Sequence, residues 1–143
     1  MSKELVKRID MALHVQELCA KNGITVHYVP LDDNRPFYCA NRILNSITIR
    51  PTKNTGYYVS ALHEIGHLIG PNQSSRNDRF EMEVGAWKYA MSVAIVWTDT
   101  ATRVMKKALM SYGMKESHWD NIYLECIRSS KSGEQLGYQG GSK

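Results

Sequence analysis

Residues 56–70 read GYYVSALHEIGHLIG, and no other stretch restricts the fold as much. Val59, Leu62, Ile65, Leu68 and Ile69 recur at three- and four-residue intervals, the period of one helix face. Gly70-Pro71 stops that helix. Within it lies His63-Glu64-Ile65-Gly66-His67, an HExxH motif. Residues four apart on a helix stand one turn above each other on the same face. Both imidazoles can then reach one cation at ~2.0–2.1 Å, the range that suits Zn²⁺. Glu64 follows the first histidine and leans toward the open metal position, where it can take a proton from water. The apolar flanks Ala61-Leu62 and Ile65 demand packing against a neighbour, which would hold such a site rigid.

A catalytic zinc usually takes three protein ligands and a water, and two sources compete for the third. HEIGHLIGPNQ follows the metzincin pattern HExxHxxGxxH as far as Gly70, but Gln73 stands where the third histidine belongs. An amide oxygen is a poor zinc ligand beside imidazole. The second source is a carboxylate from the next helix, RFEMEVGAWKYA at 79–90. Glu81 and Glu83 point about 200° apart on a helix, so only one can face the metal. Ala86, Trp87 and Ala90 share the face of Glu83, and small alanines there permit close approach to the HExxH helix. This favours Glu83, with Glu81 as the alternative.

The other elements follow from local pattern. Leu5, Ile9, Leu13 and Leu18 mark one face of a helix over 3–21, ended at Asn22-Gly23 by a left-handed glycine. ITVHYVP at 24–30 reads as a strand, LDDNRP as a turn, and FYCAN and SITIR as two further short strands. In SITIR, polar Ser46, Thr48 and Arg50 alternate with Ile47 and Ile49, and Pro51 ends the strand or keeps it near an edge. NQSSRND is a polar loop ahead of a helix over 79–97. Thr98 or Asp99 caps the next helix, which buries Val104, Met105, Ala108, Leu109 and Tyr112 and ends at Gly113. Ser117 to Asp120 resembles a capping box opening a last helix to about residue 129. The expected class is α+β: an N-terminal helix, a small three-stranded sheet, the HExxH helix, the third-ligand helix, then two C-terminal helices.

The order NGITVHYV, SITIRP, YYVSALHEIGHLIG, EMEVGAWKYA resembles the ImmA/IrrE family of small zinc peptidases, the minigluzincin type, over residues 3–97. HEIGH is the specific part, and Glu83-Val-Gly-Ala86-Trp-Lys-Tyr-Ala90 is similar to that family's ExxAxxxA helix. The resemblance implies a Zn²⁺ site of His63, His67 and Glu83 with Glu64 as the catalytic base. It also implies a protein or peptide substrate, such as a repressor in a phage, mobile-element or regulatory system. Tyr57, Tyr58 and His118 are candidates for the second oxyanion donor, and an extended substrate could add to the sheet edge near SITIR.

The chain has 143 residues, enough for one domain over 1–130 (core 3–97, helical extension 98–130) and a Gly/Ser-rich tail at 131–143. Net charge is +4, a mild excess that supports nucleic-acid binding only weakly, and Arg103 with Lys106-Lys107 reads as a solvated face. Cys19, Cys39 and Cys126 form no CxxC pair, so three buried or idle thiols are expected rather than a disulfide framework. The charged N-terminal stretch lacks an apolar signal core, and the longest apolar run, AMSVAIVW, is too short to span a membrane. A cytoplasmic metallopeptidase is the leading expectation. Its rival is a regulatory protein- or DNA-binding module that keeps the fold with little turnover.

Overall fold

The computed structural model describes residues 7–29 and 38–132. The LDDNRP turn, the first residues of the N-terminal helix and the tail from 133 onward lie outside the described residues. In chain order the elements are α1 (Arg8–Lys21), β1 (Thr25–Tyr28), β2 (Cys39–Asn41), β3 (Ser46–Ile49), α2 (Thr55–Ile69), α3 (Arg79–Val93) and α4 (Asp99–Ser111), then a 3-10 turn (Glu116–His118) and α5 (Trp119–Ser132). The class is α+β, with the expected layout.

The helix α1 turns a different face inward from the one its bulky residues mark. Met11, Val15 and Cys19 are buried, whereas Ile9 is 62% and Leu13 48% exposed. The buried stripe Met11, Val15 and Cys19 repeats every four residues, as Ile9 and Leu13 also do, so the interval alone does not choose the face, and Leu18 still packs against the core. Gly23 takes φ +65 and closes a Schellman motif, its N–H donating to Ala20 and that of Ile24 to Cys19. This turn feeds β1 directly into the sheet.

The sheet order is β1-β3-β2, with β1 parallel and β2 antiparallel to β3. SITIR is therefore the central strand and not an edge. Ser46 is buried on its polar side, and Ile47 and Ile49 are fully buried. The open edge near the site belongs to β2. The β2–β3 turn is tied down by Asn45, at φ 50, whose amide donates to the carbonyls of Asn22 and Gly23.

Asn54 caps α2 by accepting the Tyr57 N–H, and Val59, Leu62 and Ile65 reach the core. A capping box of Asp78 and Glu81 opens α3. That helix stops at Val93, four residues short of the expected end, because Ala94 is extended and the Ile95 N–H donates to the Tyr58 hydroxyl. The same hydroxyl donates to His14 Nδ1 at 2.6 Å, so Tyr58 ties α1, α2 and the α3–α4 segment together. Thr98 caps α4, which buries Ala101, Met105 and Leu109. Ser117 caps nothing. It lies inside the 3-10 turn, which runs straight into α5, and α5 continues to Ser132. On α4, Lys106 pairs with Glu116 at 2.7 Å and lies over the Trp119 ring, so one lysine of the basic stretch joins elements instead of facing solvent freely. Among the described residues no helix is long and apolar enough to cross a membrane.

Candidate metal centre

Close contact between α2 and α3 builds the site. A Cβ added at Gly66 would lie 2.6 Å from the Ala86 carbonyl oxygen and 2.9 Å from Ala86 Cα. A Cβ at Gly85 would lie 2.0 Å from the Pro71 carbonyl oxygen. The two glycines let the backbones of the helices and their connecting loop touch, which carries Glu83 back to the HExxH face.

His63, His67 and Glu83 meet there, with one donor atom from each lying within 4.8 Å of the others. His63 Nε2 is 2.8 Å from Glu83 Oε1, and His67 Nε2 is 2.9 Å from Glu83 Oε2. Glu83 is 1% exposed and His63 8%, while His67 is half-buried. Glu81 lies elsewhere: its backbone N–H donates to Asp78 Oδ1, and its own carboxylate accepts the Asp78 N–H, so it is spent on the cap. Of the two glutamates, the structure brings Glu83 to the histidines.

The electrostatics of the trio are strongly coupled. Burial works against a charge on His63, but hydrogen bonds and charge from Glu64 and Glu83 outweigh it and raise its pKa to about 9. Burial alone would raise Glu83, yet the two imidazoles hold its carboxyl at about 2. Arg79 Nε adds a charged contact to Glu83 Oε2 at 3.2 Å. The His63 ring stacks on Trp87, centroids 4.4 Å apart and 20° from parallel, which fixes its plane. Trp87 is thus both core, as its apolar surroundings indicate, and a wall of the site.

The donor set fits a small divalent cation. Two imidazole nitrogens and a carboxylate are the His₂Glu set of catalytic zinc sites. With bonds of ~2.0–2.2 Å in a tetrahedron, such ligands stand roughly 3.4 Å apart. The observed separations of 2.8 and 2.9 Å require each pair to open by about half an ångström, within side-chain adjustment. His63, His67 and Glu83 could therefore hold a metal ion.

Glu64 is 5% exposed and faces the Nδ1 edge of His63 at 3.3 Å, opposite the edge that meets Glu83. It lines the same cleft, of about 220 Å³, as the three ligand residues. The cleft walls also include Tyr38, Cys39 and Arg42 from around β2, and Arg79, Met82 and Tyr112. No local pattern marks Tyr38, Arg42 or Tyr112 as functional. Each reaches the cleft through the fold, from a strand or a helix end far from the motif in sequence. The Tyr38 hydroxyl is buried, and burial pushes its pKa up against the opposing effect of a backbone hydrogen bond with Arg50. Tyr57, Tyr58 and His118, the expected oxyanion donors, do not line the cleft. All three cysteines are free: Cys39 is exposed on the cleft wall, whereas Cys19 and Cys126 are buried, their thiols pushed up by burial to about 11 and about 12.

Gln73, in the register of a metzincin third histidine, turns its amide to other partners. Its Nε2 donates to the carbonyls of Pro71 (2.9 Å) and Met82 (2.7 Å), and its Oε1 lies 3.1 Å from His67 Nδ1. No protein-family model, curated protein or solved structure matches the chain.

Proposed function

We propose that this chain is a zinc-dependent peptidase that hydrolyses a bond in a protein substrate. One observation carries the reading: two imidazoles and a carboxylate from successive helices converge in a cleft that also holds a second acid, Glu64, outside the ligand trio. A site serving structure alone has no use for that acid, and structural zinc sites are typically thiol-rich and closed.

His63, His67 and Glu83 would hold the ion. When bound, it supplies a Lewis acid that lowers the pKa of water to ~7 and polarises the scissile carbonyl. Glu64 swings from the His63 edge to accept the proton of the attacking water, and passes it to the leaving amine. The Tyr38 hydroxyl, on the wall of the same cleft, donates a hydrogen bond to the carbonyl oxygen as negative charge develops there. The open edge of β2 beside the cleft offers backbone groups to an extended peptide. The resemblance of the HEIGH and Glu83 helices to ImmA/IrrE-like peptidases supports a specific regulatory protein as substrate and a cytoplasmic site of action.

Metal content and peptide cleavage, measured on wild type, His67→Ala and Glu64→Gln, test the reading. Near-stoichiometric zinc is expected in wild type and Glu64→Gln and not in His67→Ala, with cleavage in wild type alone. A Glu64→Gln protein that still cleaves would rule the mechanism out.

A further inference from the structure

We propose that Gln73 is a positioning residue: it fixes the ring of His67 for metal binding through Nε2 by accepting a hydrogen bond from the Nδ1 proton. The inference rests on the His63, His67 and Glu83 reading of the centre.

An imidazole that binds a metal through Nε2 must carry its proton on Nδ1, and the partner of Nδ1 sets which tautomer forms. Gln73 is that partner. A primary amide has two hydrogens and one acceptor oxygen. Both Gln73 donor directions are taken by carbonyls, of Pro71 at 2.9 Å and Met82 at 2.7 Å. Exchanging N and O would set an oxygen against two carbonyl oxygens, so the amide has one workable orientation. Oε1 then faces His67 Nδ1 at 3.1 Å, and since it can only accept, Nδ1 must donate. Nε2 faces Glu83 Oε2 at 2.9 Å, a second acceptor, so an ion entering between them would displace the Nε2 proton and leave the Nδ1 proton that Gln73 holds.

The anchoring carbonyls explain why the loop has this shape. Pro71 ends α2 just past the motif, and Met82 is the residue before Glu83 on α3. Gln73 therefore bridges the two ligand-bearing helices and touches one ligand. Asn72 takes φ 61, and its amide donates to the Glu81 carbonyl, a second tie between loop and helix that does not touch His67. The two neighbouring side chains separate holding the loop from orienting the ligand.

The experiment compares wild type, Gln73→Leu, Gln73→Glu and Asn72→Ala. Affinity for Zn²⁺ alone is measured by competition with a chelator, and the hydrogen-bonded His67 Nδ1–H by its ¹H–¹⁵N signal and exchange with water in the Zn²⁺-loaded protein. Gln73→Leu is expected to weaken Zn²⁺ by ~10–100-fold, the usual cost of losing an outer partner of a ligand histidine, and to lose the Nδ1–H signature. Gln73→Glu keeps an acceptor and is expected to retain that signature. Asn72→Ala is expected to bind Zn²⁺ as wild type does. Wild-type affinity and an unchanged His67 Nδ1–H signal in Gln73→Leu would overturn the inference while leaving the metal centre standing. Equal loss of affinity in Asn72→Ala would also overturn it, as loop integrity would then be the cause. A wild type that takes up no Zn²⁺ overturns both the inference and the reading beneath it.

Discussion

Gly66→Ala sets two known effects against each other, and the structure decides the sign. On helix propensity alone, replacing an internal glycine by alanine stabilises by ~1 kcal/mol. Gly66, however, faces the α3 backbone. The new Cβ would lie 2.6 Å from the Ala86 carbonyl oxygen, 2.9 Å from its Cα and 3.1 Å from its carbonyl carbon. All three are backbone atoms, so no side chain can rotate away. Reaching ordinary contact at 3.4 Å from 2.6 Å requires α3 to retreat by 0.8 Å. Overpacking of this kind costs about 1–3 kcal/mol. Less the propensity gain, the net expectation is a loss of up to about 2 kcal/mol, or up to roughly 7 °C in Tm for a chain of this size.

The same displacement reaches the site. Glu83 lies one turn before Ala86 on α3, and its carboxylate would be drawn back from two histidines it now meets at 2.8 and 2.9 Å. An ion needs those contacts to open by only about half an ångström, so a 0.8 Å retreat overshoots by ~0.3 Å, just beyond the ~0.2 Å in ligand distance that metal sites tolerate, and a modest loss of Zn²⁺ affinity is expected. Urea denaturation of the chelator-treated protein and Zn²⁺ competition would be measured on the same preparations. A Gly66→Ala protein more stable than wild type, with unaltered Zn²⁺ affinity, would show that the helices are not held at this distance and refute the reasoning.

Glu83→Ala should lower Zn²⁺ affinity by more than the ~10–100-fold that loss of an outer partner costs, whereas Glu81→Ala should cost up to about 1 kcal/mol of helix-cap stability and leave Zn²⁺ uptake alone, as read by metal analysis and thermal melts. The metal-free protein should lose stability as pH rises from 6.5, the ordinary value for His63, through about 9, because the raised pKa means that the charged imidazole stabilises the fold only while protonated. Glu83, held at about 2, contributes above its ordinary 4.5 and loses that contribution only in strong acid, so the single His63–Glu83 ion pair is fully present between 4.5 and 6.5. Zn²⁺ affinity should run the other way over the upper range, since a bound His63 must shed its proton; a metal-free Tm that is flat or rising from pH 6.5 to 9 would contradict this. Tyr58→Phe should cost ~1–3 kcal/mol, by stripping His14 and the Ile95 N–H of their partner, without changing cleavage per folded molecule. Tyr38→Phe should retain zinc and lose roughly 10²-fold in kcat.

What was legible in the sequence was what short spacing encodes. HEIGH fixes two ligands because a helix repeats its face every four residues, and Ala86 with Ala90 marks the face of Glu83 because a close helix pair needs small residues. Even there the closest approach is made by Gly66 and Gly85, whose role depends on which backbone lies opposite. Long-range pairing was not legible. The alternation in SITIR is common to central and edge strands, so its place between β1 and β2 could not be read from it. The end of α3 is set by Tyr58, a hydroxyl from the preceding helix. The inward face of α1 is not legible because Ile9 and Leu13 repeat at the same four-residue interval as the buried Met11, Val15 and Cys19. Tyr38 and Arg42 went unnoticed because nothing about a residue on a short strand announces that its cleft contains a metal-binding motif from a later helix.

The C-terminal helices bear on the site through one side chain. Tyr112 follows the last turn of α4, and its hydroxyl accepts a hydrogen bond from Arg79 at 3.1 Å while its ring lies 4.9 Å from the guanidinium carbon. Arg79 in turn contacts Glu83 Oε2 at 3.2 Å. The order Tyr112, Arg79, Glu83 carries α4 to the buried carboxylate by two polar contacts. Gly113, at φ +101, closes the helix end in a Schellman motif, its N–H donating to Met110 and that of Met114 to Leu109, and so fixes where Tyr112 stands. Arg79 is 67% exposed, so its pair with Glu83 contributes little stability by itself. Its value is directional. Glu83 Oε2 is shared between Arg79 and His67, whereas Oε1 faces His63 alone, so the two oxygens are inequivalent before any ion arrives. A carboxylate whose oxygens already differ is prepared to offer one of them to a metal and keep the other on its positioning partner. The helices beyond the minimal HExxH and glutamate pair therefore complete the surroundings of the third ligand.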